Sequence, residues 1–179
     1  MNCGQTCIAP DYVLLPEVRE KQFADEFAKA VAAFYNPNGK GVASSSDYSR
    51  IINRKNLLRL KNLMEQDLEA GAHLLYGGAM DEDDLFIEPT LLGNMKPYMG
   101  LMQQEIFGPI LPVCTYKRID DAIHTVNSLE RPLALYILSN DRKTTKHVLS
   151  NTTSGGVGIN ELMVTSVNPA LPFGGVNHS

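Results

Sequence analysis

Long apolar runs are missing from this 179-residue chain, and none approaches the ~20 residues that a membrane-crossing helix requires. No charged-then-apolar leader follows Met1, so no membrane segment or address tag is read. An excess of positive charge is missing too: 16 Lys and Arg face 20 Asp and Glu, for a formal net charge of −4. Phosphate backbones need a clustered cationic surface, which excludes nucleic acid as the main partner. Cysteine is scarce, at Cys3, Cys7 and Cys114. A disulfide-stapled secreted scaffold carries a denser, even set, so a soluble protein in a reducing cytoplasm is expected. The four histidines, His73, His124, His147 and His178, form no pair at ligand spacing, and no Cys-x-x-Cys occurs. No metal is expected.

What is present suits a folded domain. Hydrophobic residues make up 44% of the chain, enough for a core and too many for wholesale disorder. The length suits one domain or one and a half. The opening Asn2-Cys3-Gly4-Gln5-Thr6-Cys7 has no run-in of its own, and the closing Pro172-Phe173-Gly174-Gly175 is dense in turn formers. Both ends read as cuts through a longer protein.

Between them, strands and helices alternate. Asp11–Leu15 is a short apolar run ended by Pro16, a buried strand. Phe23, Phe27, Ala30, Val31 and Phe34 recur at helical spacing and predict a helix from Val18 to Tyr35. Leu57, Leu60, Met64 and Leu68 mark a second helix closing near Gly71. Strands are expected at His73–Tyr76, Phe86–Leu92 and Ile106–Tyr116. A helix carrying Ile119, Ala122, Ile123 and Val126 is expected to be capped near Asp120 or Asp121. Leu133–Leu138, Asp141–Leu149 and Gly155–Ile159 then read as strand, helix and strand. Apolar strands alternating with helices imply an α/β fold with a mainly parallel sheet flanked by helices.

Three clusters could carry chemistry. Cys7 lies in Gly4-Gln5-Thr6-Cys7-Ile8-Ala9-Pro10, where a glycine before and a proline after favour a turn that presents a thiol to solvent; packing as a small hydrophobe is the alternative. Cys114, inside an apolar strand, reads as core. Glu105-Ile106-Phe107-Gly108-Pro109 sets a carboxylate beside an aromatic ring, able to accept hydrogen bonds from sugar hydroxyls against an aromatic wall, or to serve as an ordinary strand entrance. Ser154-Gly155-Gly156-Val157-Gly158-Ile159 fails the dinucleotide fingerprint, since its sixth position from Gly156 is Glu161. Its glycines suit tight turns and close packing.

Together and in order, Gly4-Gln5-Thr6-Cys7, Glu105-Ile106-Phe107-Gly108-Pro109, Leu133-Ala134-Leu135-Tyr136, Ser154-Gly155-Gly156-Val157 and Leu171-Pro172-Phe173-Gly174-Gly175 resemble the aldehyde dehydrogenase superfamily over nearly the whole chain. Gly4–Leu14 is similar to the class-3 branch, and Asn168-Pro169-Ala170-Leu171-Pro172-Phe173 to coniferyl-aldehyde dehydrogenases. The resemblance implies an NAD(P)-dependent oxidation of an aldehyde to a carboxylic acid, with Cys7 as nucleophile and a thioester intermediate. It assigns Glu105 to the nicotinamide-ribose hydroxyls and Phe107 to the wall beside the nicotinamide of NAD or NADP. Ile8 and Phe173 would line the aldehyde pocket. It places residues 1–165 in the thiol-bearing catalytic domain and 166–179 in a segment returning toward the active site. The cofactor-binding domain, the oxyanion-hole asparagine and the general-base glutamate of the family find no match here. A homo-oligomer, as a dimer, is implied, although Asn177-His178-Ser179 departs from the family's arm. On these grounds the isolated chain is expected to be inactive. Two other readings compete: a non-catalytic, self-associating remnant, and a Cys–His hydrolase using His178.

Overall fold

The computed structural model describes residues 2–163 and 170–176. The 165/166 boundary, Asn168-Pro169 of the branch motif and His178 lie outside the described residues. No described helix is long and apolar enough to cross a membrane.

The chain divides into two compact units, one of Met1–Thr6 with Pro10–Thr115 and one of Cys7–Ala9 with Tyr116–Ser179. The first unit runs β1 (Val13–Pro16), α1 (Glu20–Tyr35), α2 (Arg54–Glu69), β2 (His73–Tyr76), β3 (Met80–Asp81), β4 (Phe86–Ile87), β5 (Thr90–Gly93), α3 (Gly100–Gln103) and β6 (Ile110–Tyr116). Four strands form a sheet in the order β1-β6-β5-β2. β5 and β6 are parallel, with Thr90 opposite Ile110, and β2 joins β5 antiparallel. Every residue of β5 is buried, as a strand covered on both faces must be. Leu57 and Leu60 of α2, with Leu91, Leu92 and Val113, have essentially no exposed surface. Asn53 starts α2 by accepting the Asn56 amide at 2.9 Å, satisfying a donor that the helix leaves free.

Two strand expectations change in detail, and one short helix was not expected. The Phe86–Leu92 strand breaks at Glu88-Pro89, because proline has no amide to give a ladder. β4 therefore pairs with β3, and β5 starts afresh at Thr90. The strand expected from Ile106 begins only at Ile110, since Phe107 takes a φ of +50° before the Gly108-Pro109 turn. α3, at four residues, is too short to show periodicity.

The second unit contains α4 (Ile119–Ser128), β7 (Ala134–Ile137), α5 (Arg142–Asn151) and β8 (Gly156–Ile159). β7 and β8 are parallel neighbours, from Ala134 opposite Gly156 to Ile137 opposite Ile159, with α5 as the crossover that a parallel pair requires. The Asp141 carboxylate caps α5 through the amides of Lys143 and Thr144 at 3.1 and 3.2 Å. The cap of α4 corrects the expectation: Arg118 holds the capping position, and Asp121, three residues on, reaches back to accept its amide at 2.9 Å. The carboxylate works from inside the first turn, where it also meets the positive end of the helix.

Leu57, with no exposed surface, gives a direct test of the first unit. Leu57→Ala is expected to lower unfolding free energy by about 2–5 kcal/mol, read from the urea midpoint. Truncation on the exposed face of α2, as in Lys55→Ala, is expected to change it by less than about 0.5 kcal/mol.

Candidate active site

The run into Cys7 is locked by side chains. Gln5 is buried, and all its amide groups are used: Nε2 donates to the carbonyls of Asn2 and Arg50 at 3.1 and 3.0 Å, and Oε1 accepts the Ile52 amide at 2.9 Å. Cys3, at φ +49°, donates its thiol to the Ser49 carbonyl at 2.8 Å. Gly4 also has a positive φ, and a Cβ there would stand 2.3 Å from the Gly108 carbonyl oxygen. Only glycine permits that approach of backbone to backbone.

Beyond this run, Cys7 is exposed, whereas Cys3 and Cys114 are buried. Burial pushes the Cys3 thiol up and that of Cys114 up to about 11, because a thiolate loses its hydration inside the protein. Ile8 is buried, and its carbonyl accepts the Tyr136 hydroxyl at 2.8 Å.

The Glu105–Phe107 loop is gripped by its main chain. The Ile106 amide donates to the Asp11 carboxylate at 2.9 Å. Arg59 of α2 donates to the Ile106 carbonyl and, at 3.3 Å, to the carbonyl of Glu105. Asp67, also on α2, accepts the Gly100 and Leu101 amides at 2.8 and 2.9 Å and so starts α3, which leads into the loop. A Cβ at Gly108 would lie 2.5 Å from the Leu60 side chain. With its backbone so held, the loop leaves Glu105 and Phe107 exposed while Ile106 is buried.

Asp11, Arg59, Asp67 and Gln5 were not singled out from sequence. Asp67 alone carried a signal: it follows Leu57, Leu60 and Met64 at helical spacing, so an acid falls on the apolar stripe. The other three act through backbone groups 45 to 95 residues away, and local pattern holds no trace of that.

The glycines of the third cluster serve close packing. A Cβ at Gly155 would stand 2.1 Å from the Gly174 carbonyl oxygen and 2.5 Å from that of Leu133. Gly174, at φ +78°, would in turn place a Cβ 2.5 Å from the Gly155 oxygen. This brings Leu171–Gly175 against the start of β8, with Phe173 exposed.

Against this geometry, the model of the aldehyde dehydrogenase family matches residues 1–179. The chain belongs to the aldehyde dehydrogenase family. It is 42% identical over 179 residues to aldehyde dehydrogenase family 3 member A2 of Mus musculus, covering 100% of this chain and 35% of that protein. It is 40% identical to the dimeric NADP-preferring aldehyde dehydrogenase of Rattus norvegicus, covering 100% of this chain and 38% of the other. The structure described as the substrate-bound state of Staphylococcus aureus AldH superposes with a TM-score of 0.89 at 39% identity, over 97% of this chain and 37% of that one. The chain thus spans little more than a third of the length of the relatives it matches.

Asp11 offers a pH test of the loop grip. Burial raises its carboxyl to about 6, and Glu105 adds to the rise, while the Ile106 amide and Arg59 oppose it. The folded state therefore holds this proton more tightly than the unfolded chain, whose carboxyl titrates near the ordinary 3.8. The resulting stability is complete below the unfolded value and is lost as pH rises through about 6. Thermal midpoints across this window are expected to fall with rising pH, and Asp11→Asn, which keeps the acceptor, is expected to remove that component of the slope.

Proposed function

We propose that the chain is the thiol-bearing part of an NAD(P)-dependent aldehyde dehydrogenase, with Cys7 as its nucleophile. The observation that carries this reading is the exposed Cys7 thiol at the end of a run fixed by Gln5, in a chain whose other cysteines are buried. The Cys7 thiol gives its proton to solvent, and the thiolate sulfur donates an electron pair to the aldehyde carbon, forming a C–S bond as the carbonyl π pair moves to oxygen. The resulting thiohemiacetal alkoxide needs donors, and the Cys7 backbone amide serves as one. NAD(P), when bound, supplies the acceptor for the hydride that leaves the thiohemiacetal carbon. The thioester left on Cys7 is then hydrolysed by water, releasing the acid and restoring the thiol.

The residues on the loop suit the nicotinamide end of that cofactor. Glu105 offers an exposed carboxylate to a ribose diol, and Phe107 an exposed ring to a planar heterocycle, both on a backbone gripped by Asp11 and Arg59. Phe173, with 57% of its surface exposed, is assigned to the aldehyde pocket. Buried Ile8 backs that pocket and keeps the nucleophile in place. An apolar or aromatic aldehyde of the coniferyl class fits an aromatic lining. A cytoplasmic homodimer is the proposed state of the whole enzyme, in keeping with the rat relative described as dimeric.

Acylation tests the nucleophile. After treatment with p-nitrophenyl acetate, mass spectrometry is expected to find one acyl group, on Cys7, and Cys7→Ser to abolish the nitrophenolate burst. Cleavage that persists without Cys7 and is lost in His178→Ala would support the hydrolase instead. With aldehyde and NAD, the purified chain is expected to produce no NADH, and measurable turnover would overturn that expectation.

A second reading, self-association, is favoured by Val18, Phe34 and Ile52, which expose 87, 70 and 69% of their surface. Light scattering of the isolated chain is expected to give a mass above the monomer; a monodisperse monomer would refute it.

A further inference from the structure

We infer that Tyr136 is a positioning residue for Cys7, holding the carbonyl of the neighbouring Ile8 through its hydroxyl, and that Gly158 gives the tyrosine ring its room. The inference rests on the reading of Cys7 as nucleophile and deepens it. Tyr136 and Gly158 stand opposite each other in the parallel β7–β8 register. A Cβ at Gly158 would fall 2.9 Å from the Tyr136 Cδ1 atom, 3.4 Å from Cε1 and 2.7 Å from the Glu161 carbonyl oxygen. The ring therefore lies over bare backbone, and any side chain at 158 displaces either the ring or the Glu161 peptide.

From that seat the Tyr136 hydroxyl reaches 128 residues back along the sequence to donate to Ile8 at 2.8 Å. Met163 supplies a backbone hydrogen bond to the same phenol, so the hydroxyl both gives and receives. On balance the phenol is held above its ordinary value: burial raises it most, the Met163 bond opposes, and the nearby Cys7 sulfur adds to the rise. A neutral phenol thus keeps its hydrogen on the Ile8 carbonyl while the adjacent thiolate is formed. Cys7–Ala9 lies on a turn and bend between Thr6 and Pro10, outside any strand or helix that would fix it. The Tyr136 bond supplies that constraint from a strand. The resemblance segment Leu133–Tyr136 and the strand β8, neither with chemistry of its own, acquire a shared purpose by it.

The test compares the parent chain with Tyr136→Phe and Gly158→Ala, following the p-nitrophenyl acetate burst from Cys7 across pH, with a thermal melt of each. Small displacements of a reacting group cost large factors in rate, so about a tenfold slower burst is expected in each variant. The pH of half-maximal rate is expected to stay at the parental value, because geometry changes and the thiol's charge balance does not. A parental burst rate in Tyr136→Phe would overturn the inference while leaving Cys7 as nucleophile. The absence of any burst in the parent would overturn both. A slow burst accompanied by a shifted pH profile, or restored by cooling a variant with a lowered melting temperature, would also overturn it, as marks of an electrostatic or general structural role. Should Gly158→Ala fail to fold, Tyr136→Phe decides alone.

Discussion

The peptide group at Ile106 is held at both ends, its amide by the Asp11 carboxylate and its carbonyl by the Arg59 guanidinium. Hydrogen bonds to charged groups are the stronger kind, and here they act on main chain, so the loop is fixed whatever its side chains do. That permits Phe107 to sit at a positive φ, a conformation that costs a non-glycine residue energy and persists only where its surroundings over-determine it. The grip has its own cost. Asp11 is pushed toward neutrality by burial and by Glu105, so the acid that orders the loop is strained electrostatically by the carboxylate the loop displays. Arg59 relieves part of that strain, which explains why both ions appear together.

At three places glycine permits an approach that a side chain would block. Gly4 lies against Gly108, Gly155 against Gly174, and Gly158 beneath Tyr136. None of these approaches survives a Cβ without backbone or ring movement. The glycine-rich stretches thus bring loops onto strands, and phosphate binding, which uses free amides facing a ligand, is a poor description of Gly155 and Gly174, whose space is filled by each other's carbonyl oxygens.

The elements were largely legible. Apolar spacing located α1 and α2, because the packed face of a helix imposes a period of 3.6 that a sequence displays, and a continuous apolar run located β7. Breaks caused by single residues were less visible. Pro89 divides a strand and Phe107 delays another, and both act through backbone geometry that hydropathy ignores. Among the candidate residues, Cys7 could be picked out as a thiol in turn-forming surroundings and Glu105 with Phe107 as a carboxylate beside a ring, whereas Phe173 was marked only by the family resemblance. Gln5 and Tyr136 lie in segments that carry the resemblance, yet their contacts, like those of Asp11 and Arg59, could not be read. Each acts on main-chain atoms far away in sequence, and a side chain's reach to a distant carbonyl leaves no local pattern.

Burial decides which sulfur can react. Cys114 beside Met102, raised to about 11, carries on the order of one thiolate in 10⁴ molecules at neutral pH. Cys3 is committed to the Ser49 carbonyl and is shielded from solvent. Cys7 alone of the three is exposed, so it is the sulfur that a reagent arriving from solvent meets first. Access by itself gives a reactive thiol in any direction, and directed attack needs the chain around the sulfur to hold still. Gln5 does this before Cys7 and the Tyr136 hydroxyl after it, each by hydrogen bonds to peptide groups. Under the proposed reading, a thiol left free while its flanking backbone is tied is what separates a nucleophile from a cysteine that merely happens to face water.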